Sequence, residues 1–175
     1  MNEKNFINLF RFSKIYEKST KSISKSDPWG VFAHQALDGL ASDLSKILVN
    51  GSLNDKFSTC HSQGGPSMPR ITWVSVVLQR TRVSHTPSYT ICFGRGGLGL
   101  VSGLMLPSVI NWPNLSPVIR GNIENKIDID GNKPDNKYNN RYINPQEMYA
   151  SSFNADDLVL HLHESLILLE KLNVY

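Results

Sequence analysis

Residues 71–106 read ITWVSVVLQRTRVSHTPSYTICFGRGGLGLVSGLML. Three runs in this stretch are rich in β-branched, aromatic and large aliphatic residues: ITWVSVVL (71–78), YTICF (89–93) and LVSGLML (100–106). Each has the length of a strand. TRVSHTPS and GRGGLG separate them, and Pro, Ser and Gly in those separators break regular structure. Three strands so close in sequence are expected to pair as an antiparallel meander.

Helical patterns lie on both sides. Asp27-Pro28 supplies a capping side chain and a residue suited to the first helical position. Trp29, Ala33, Ala36, Leu37, Leu40, Leu44, Ile47 and Leu48 then form one apolar stripe that ends at Asn50-Gly51. Near the C-terminus Asn154 is a cap, Asp156 and Asp157 suit the positive helix end, and Leu158, Leu162, Ser165, Leu166, Leu169 and Leu172 form a second stripe. A shorter amphipathic helix is expected over Asn2 to Tyr16, with Phe6, Leu9, Phe10 and Ser13 on one side. KSTKSISKS (18–26) reads as a polar linker. The expected fold is α+β, an antiparallel sheet flanked by N- and C-terminal helices. It divides into a basic N-terminal helix or arm, 1–26, and one domain, 27–175. HSQGGPSMP (61–69) is expected as a turn-rich loop, PSVINWPNLSP (107–117) as irregular, KIDID (126–130) as a short edge strand and 131–146 as a long polar loop.

The chain has 175 residues, 40% hydrophobic and 19% charged, which suits one globular domain. It has no apolar run of about 18 residues, and MNEKNFINLF is too polar for a signal peptide. Cys60 and Cys92 stand without a tight spacing. These features predict a cytoplasmic protein with no membrane partner. Net charge is +3, but it is unevenly placed. Residues 56–120 hold six basic side chains, Lys56, Arg70, Arg80, Arg82, Arg95 and Arg120, and no Asp or Glu; residues 121–175 hold five basic and nine acidic. A region of one sign concentrates partners of the other.

No catalytic motif stands up. GRGGLG matches a dinucleotide-binding glycine pattern, yet it precedes a β-like run rather than a helix, and no acid follows at the expected distance. No lysine lies between Lys56 and Lys126, which removes a kinase reading of the same glycines. DIDGNKPD (128–135) has its glycine fourth rather than sixth, and Asn139 stands where a calcium loop needs Glu. Asp128, Asp130, Lys133, Asp135 and Lys137 have the chemistry of a metal-dependent nuclease without a rigid frame around them. That remains the enzymatic alternative. His161 and His163, two apart on a helix, point in different directions and read as surface residues. His34, His61 and His85 are scattered, and GxSxG and HExxH are absent. No cofactor, metal site or catalytic residue is expected.

What remains is an acid-free, arginine-bearing β-region with interleaved aromatics: Trp73, Tyr89, Phe93 and Trp112. Arginines suit phosphates and aromatic faces suit bases. Tyr138 and Tyr142 beside Lys137 and Arg141 suit the same contacts. Arg70, Arg80, Arg82, Arg95, Lys137 and Arg141 are the expected DNA-backbone contacts.

The order of these segments resembles the N-terminal DNA-binding domain of McrB-type modification-dependent restriction proteins. The resemblance is carried by DPWGVFAHQALDGLASDLSKIL, GGPSMPRITWVSVVL, SYTICF and DLVLHLHESLILLEKL, over roughly Asp27 to Leu172. It implies a domain that recognises modified cytosine, such as 5-methylcytosine, in double-stranded DNA by flipping the base into an aromatic pocket. It implies service to a restriction or antiviral defence system with a separate nuclease or NTPase subunit. By that resemblance Trp73 and Tyr89 match pocket positions, and Tyr138 or Tyr142 supplies a third. Where the family's pocket has a tyrosine in the Gly-rich stretch, this chain has Gly65 or Pro66. A protein-interaction subunit with no nucleic-acid contact is the third class of function.

Overall fold

A computed structural model of the chain describes residues 1–18, 23–61, 72–79, 87–93, 99–106 and 141–172. Helices α1 (Glu3–Lys18) and α2 (Pro28–Asn50) come first. Strands β1 (Phe57–His61), β2 (Thr72–Leu78), β3 (Ser88–Phe93), β4 (Gly99–Leu106) and β5 (Arg141–Tyr149) follow, and helix α3 (Ala155–Leu172) closes the fold. The strands form one sheet in the order β1-β2-β3-β4-β5, and every neighbouring pair is antiparallel. The fold is thus α+β, and the expected meander is its centre.

The helices form where capping and periodicity demand. Asp27 takes an extended backbone, and its side chain accepts a hydrogen bond from Trp29 N at 3.2 Å, satisfying a free donor of α2. Asn154 Oδ1 accepts from Asp156 N at 2.9 Å at the start of α3. On α2 the buried stripe is Ala33, Ala36, Leu37, Leu40, Leu44 and Leu48; Trp29, expected within it, is exposed instead. It precedes the first full turn over the sheet and packs edge-on against Phe32. Gly30 is required by a close approach, since a Cβ there would lie 2.1 Å from the Ser24 carbonyl oxygen.

α1 is part of the same core as the rest. Phe6, Leu9, Phe10 and Phe12 are buried, and Phe6 and Phe10 both pack against Phe93 and Phe153. The three helical stripes meet Val74, Val76, Tyr89, Ile91, Phe93, Leu100, Leu104 and Met148 on one face of the sheet. Fully burying a side chain of this kind contributes about 1.5–3 kcal/mol, which fixes which face of each strand turns inward.

Two strands were not expected. β1 offers only Phe57 as a large apolar residue, so its alternation is too weak to read. β5 falls partly within the stretch read as a polar loop. Its pairing with β4 breaks register between Ser102 and Leu104, where Ser102 faces Gln146 and Leu104 faces Ile143. Two steps on β4 thus match three on β5, the signature of a bulge. A bulge on an edge strand tolerates Pro145, which has no N–H to donate. The expected edge strand at 126–130 lies outside the described residues.

Candidate functional site

Strand alternation sorts the candidate residues between two faces. Val76 pairs with Tyr89 and Val74 with Ile91, and these four belong to the helix-covered core. Trp73 pairs with Cys92 and Ser75 with Thr90, so these four stand on the other face. The structure therefore does not bring Trp73 and Tyr89 together. Tyr89 is fully enclosed in the core, with its ring centroid 5.7 Å from that of His161. Burial raises its phenol pKa above the ordinary range, against a smaller opposing influence of Ser102. It presents no surface to an extruded base.

The face carrying Trp73 has a different character. Beside the half-buried indole runs a strip of buried hydroxyls: Ser75 Oγ lies 2.7 Å from Thr90 Oγ1, which lies 3.1 Å from Ser88 Oγ. These hydroxyls are enclosed and bond one another, so the partly exposed Trp73 indole is the group on this row that can stack a planar ring. This strip was missed in the sequence, although TWVSVV and SYTICF carry it as polar residues at every second position. In register, Cys92 pairs with Val101 and Val101 with Glu147, so the row starting at Trp73 ends on an exposed carboxylate at the β5 edge. Exposed Tyr149, paired with Gly99, lies two residues further along β5.

Arg70, Arg80, Arg82, Arg95, Lys137 and Tyr138 lie outside the described residues, as do Asp128, Asp130, Lys133 and Asp135. Arg141 and Tyr142 are described as β5 backbone, paired with Leu106 and Met105. The strand ends that the arginines adjoin are informative. Arg70 precedes the start of β2 and Arg95 follows the end of β3; these ends are neighbours, since Thr72 pairs with Phe93. Arg80 and Arg82 follow the end of β2, at the opposite end of the sheet. Trp73 is one residue inside the end that Arg70 and Arg95 adjoin. The described parts of β1 to β4 contain no Asp or Glu, whereas exposed Asp38, Asp156, Asp157 and Glu164 sit on α2 and α3.

Two histidine arrangements appear only in three dimensions. Asp38 on α2 reaches His34 Nδ1 at 3.0 Å and His61 Nε2 at 2.8 Å, joining α2 to β1 through one carboxylate. His161, expected at the surface, turns inward, with its Nδ1 3.1 Å from Ser102 Oγ; His163 is exposed. Two turns of α3 place 158, 161, 162 and 165 toward the sheet, which is why residues two apart part company. Burial pushes the Cys60 thiol up to about 11. Among the described residues no cluster of His, Cys, Asp and Glu is arranged to hold a metal, and no helix is long and apolar enough to cross a membrane. No protein-family model and no curated protein sequence matches the chain.

Proposed function

We propose that this α+β domain is a DNA-binding specificity module that recognises modified cytosine in a duplex for a restriction or defence system. Its contact surface is the end of β2 and β3 at Trp73, which is partly exposed. The observation that carries this reading is charge segregation. β1 to β4 are free of carboxylates, arginines adjoin their ends in sequence, and exposed Asp38, Asp156, Asp157 and Glu164 lie on α2 and α3, with Glu147 of β5 the exposed acid at the sheet's far edge. A polyanion approaching α3 meets acids, and one approaching the ends of β2 and β3 meets none within those strands.

Trp73 takes the stacking role, while Tyr89 and the enclosed Ser75, Thr90 and Ser88 hydroxyls take structural ones. Flipping a base costs a few kcal/mol, which stacking and edge contacts offset. Arg70 and Arg95, next to the Trp73 end of β2 and β3, hold phosphates there. Arg80, Arg82, Lys137 and Arg141 add contacts at the far end. A separate nuclease or NTPase subunit would act on what this domain marks.

Gel shifts test the reading with duplexes that differ only in cytosine modification, with and without Mg²⁺. The expected result is tighter binding to modified duplex and no cutting. Mg²⁺-dependent cleavage lost in Asp130→Asn would replace it with the nuclease. No binding at low salt would replace it with a protein-interaction subunit.

A further inference from the structure

We propose that an internal polar site between the sheet and α3 binds one water molecule, held by Tyr89 Oη and Gln146 Oε1 beside the Ser102–His161 pair. Among the described residues, Tyr89 Oη and Gln146 Oε1 are the buried side-chain oxygens that make no hydrogen bond within the protein. They are not remote from each other. Gln146 is the direct cross-strand partner of Ser102, a pairing that sets the two Cβ atoms about 4.5–5.5 Å apart. Ser102 is near enough to oppose the phenol's pKa shift as a hydrogen-bonding neighbour, although the two hydroxyls are not in bonding geometry, and the Tyr89 ring packs against the His161 ring at 5.7 Å. Ser102 Oγ in turn lies 3.1 Å from His161 Nδ1. Four polar side chains from β3, β4, β5 and α3 thus share the helix-covered face of the sheet with an otherwise apolar core that includes Leu104, Leu158 and Leu162.

The chemistry specifies the occupant. Oε1 of an amide only accepts, so it needs a donor; the phenol can donate. Water satisfies both at once, accepting from Tyr89 and donating to Gln146, and has a second hydrogen left for a neighbouring oxygen such as Ser102 Oγ. Two to four such partners are what retain an internal water. A cation is unsuited because Tyr89 stays protonated, and an anion is unsuited because Oε1 repels it. The inference is independent of DNA binding.

The test is a double-mutant cycle by equilibrium unfolding with Tyr89→Phe, Gln146→Leu and the pair. With a shared water, Tyr89→Phe lowers the folding equilibrium constant about 2- to 13-fold, the range for one net hydrogen bond. The double variant then loses less than the product of the two singles. A Tyr89→Phe protein that is more stable than wild type overturns the proposal, because a hydroxyl without a partner is better removed. Strictly multiplicative losses also overturn it. A high-resolution crystal structure gives an independent readout: an ordered oxygen within hydrogen-bond distance of both atoms supports the site, and a Gln146 amide turned to other partners refutes it.

Discussion

Trp73 and Tyr89 stand on opposite faces of the sheet: Tyr89 pairs with Val76, three residues beyond Trp73 on β2. An odd spacing along a strand reverses the side-chain direction. Trp73→Ala and Tyr89→Ala should therefore fail differently. Tyr89→Ala empties a fully buried site and should cost about 3–5 kcal/mol of stability, as for other large aromatic truncations. Trp73→Ala should cost less stability. It should weaken binding to modified duplex roughly 5- to 150-fold, the worth of one stacked base. Melting temperature and binding measured on the same samples separate the two. A Tyr89→Ala protein of wild-type melting temperature that has lost discrimination would reverse the roles assigned here.

Salt dependence should report on the arginines. Arg70 with Arg95, and Arg80 with Arg82, adjoin opposite ends of the sheet and can be replaced by Ala as pairs. Each lost phosphate contact flattens the salt slope by about one unit without altering preference among sequences. The Arg70 and Arg95 pair, nearest Trp73, should flatten it more. Salt titrations of both double variants check this, and an unchanged slope in that pair would move the interface away from Trp73.

Stability should fall in alkali. Burial raises the pKa values of the Tyr89 phenol and the Cys60 thiol above their unfolded values, the thiol from 9.0 to about 11. A raised folded pKa means the native state holds protons that the unfolded state releases. The stabilisation is present below the unfolded value and is lost as pH rises through the folded one. Denaturant midpoints should thus decline from about pH 9 upward. Cys60→Ser should remove the lower-pH part of that decline, and an unchanged profile would argue that the thiol is not buried as described.

The Asp38 link between α2 and β1 should matter little. Its carboxylate is more than half exposed, so solvent screens its bonds to His34 and His61. Asp38→Ala should lower stability by no more than about 1 kcal/mol and leave DNA affinity unchanged, since it lies on the helix-covered side. A several-kcal/mol loss, or a large change in DNA affinity, would contradict this placement.

The central strands and all three helices were legible because each carries a strong signal in one place. Asp27-Pro28 and Asn50-Gly51 bracket α2, and alternation runs through 72–78 and 88–93. β1 and β5 were not, because edge strands bury little, and Pro145 sits in a bulge that only the β4 register reveals. The site was legible in composition but not in arrangement. Trp73 and Tyr89 were both named as aromatic strand residues, yet the face of each depends on the pairing of two strands. In the Asp38–His34–His61 cluster the His34–Asp38 pair is an i,i+4 contact along α2, but the His61 link from β1 is made by packing and has no local pattern. His161 depended likewise on the phase of α3 against the sheet.

The most direct measurement is the affinity of the whole chain for one fluorescent duplex, with and without 5-methylcytosine, across a range of salt. The proposed function predicts that the methylated duplex binds more tightly at every salt concentration. It also predicts that both affinities fall linearly with the logarithm of salt and that the gap between them closes in Trp73→Ala. No binding to either duplex at low salt, or a methylation preference that survives in a folded Trp73→Ala protein, would contradict it.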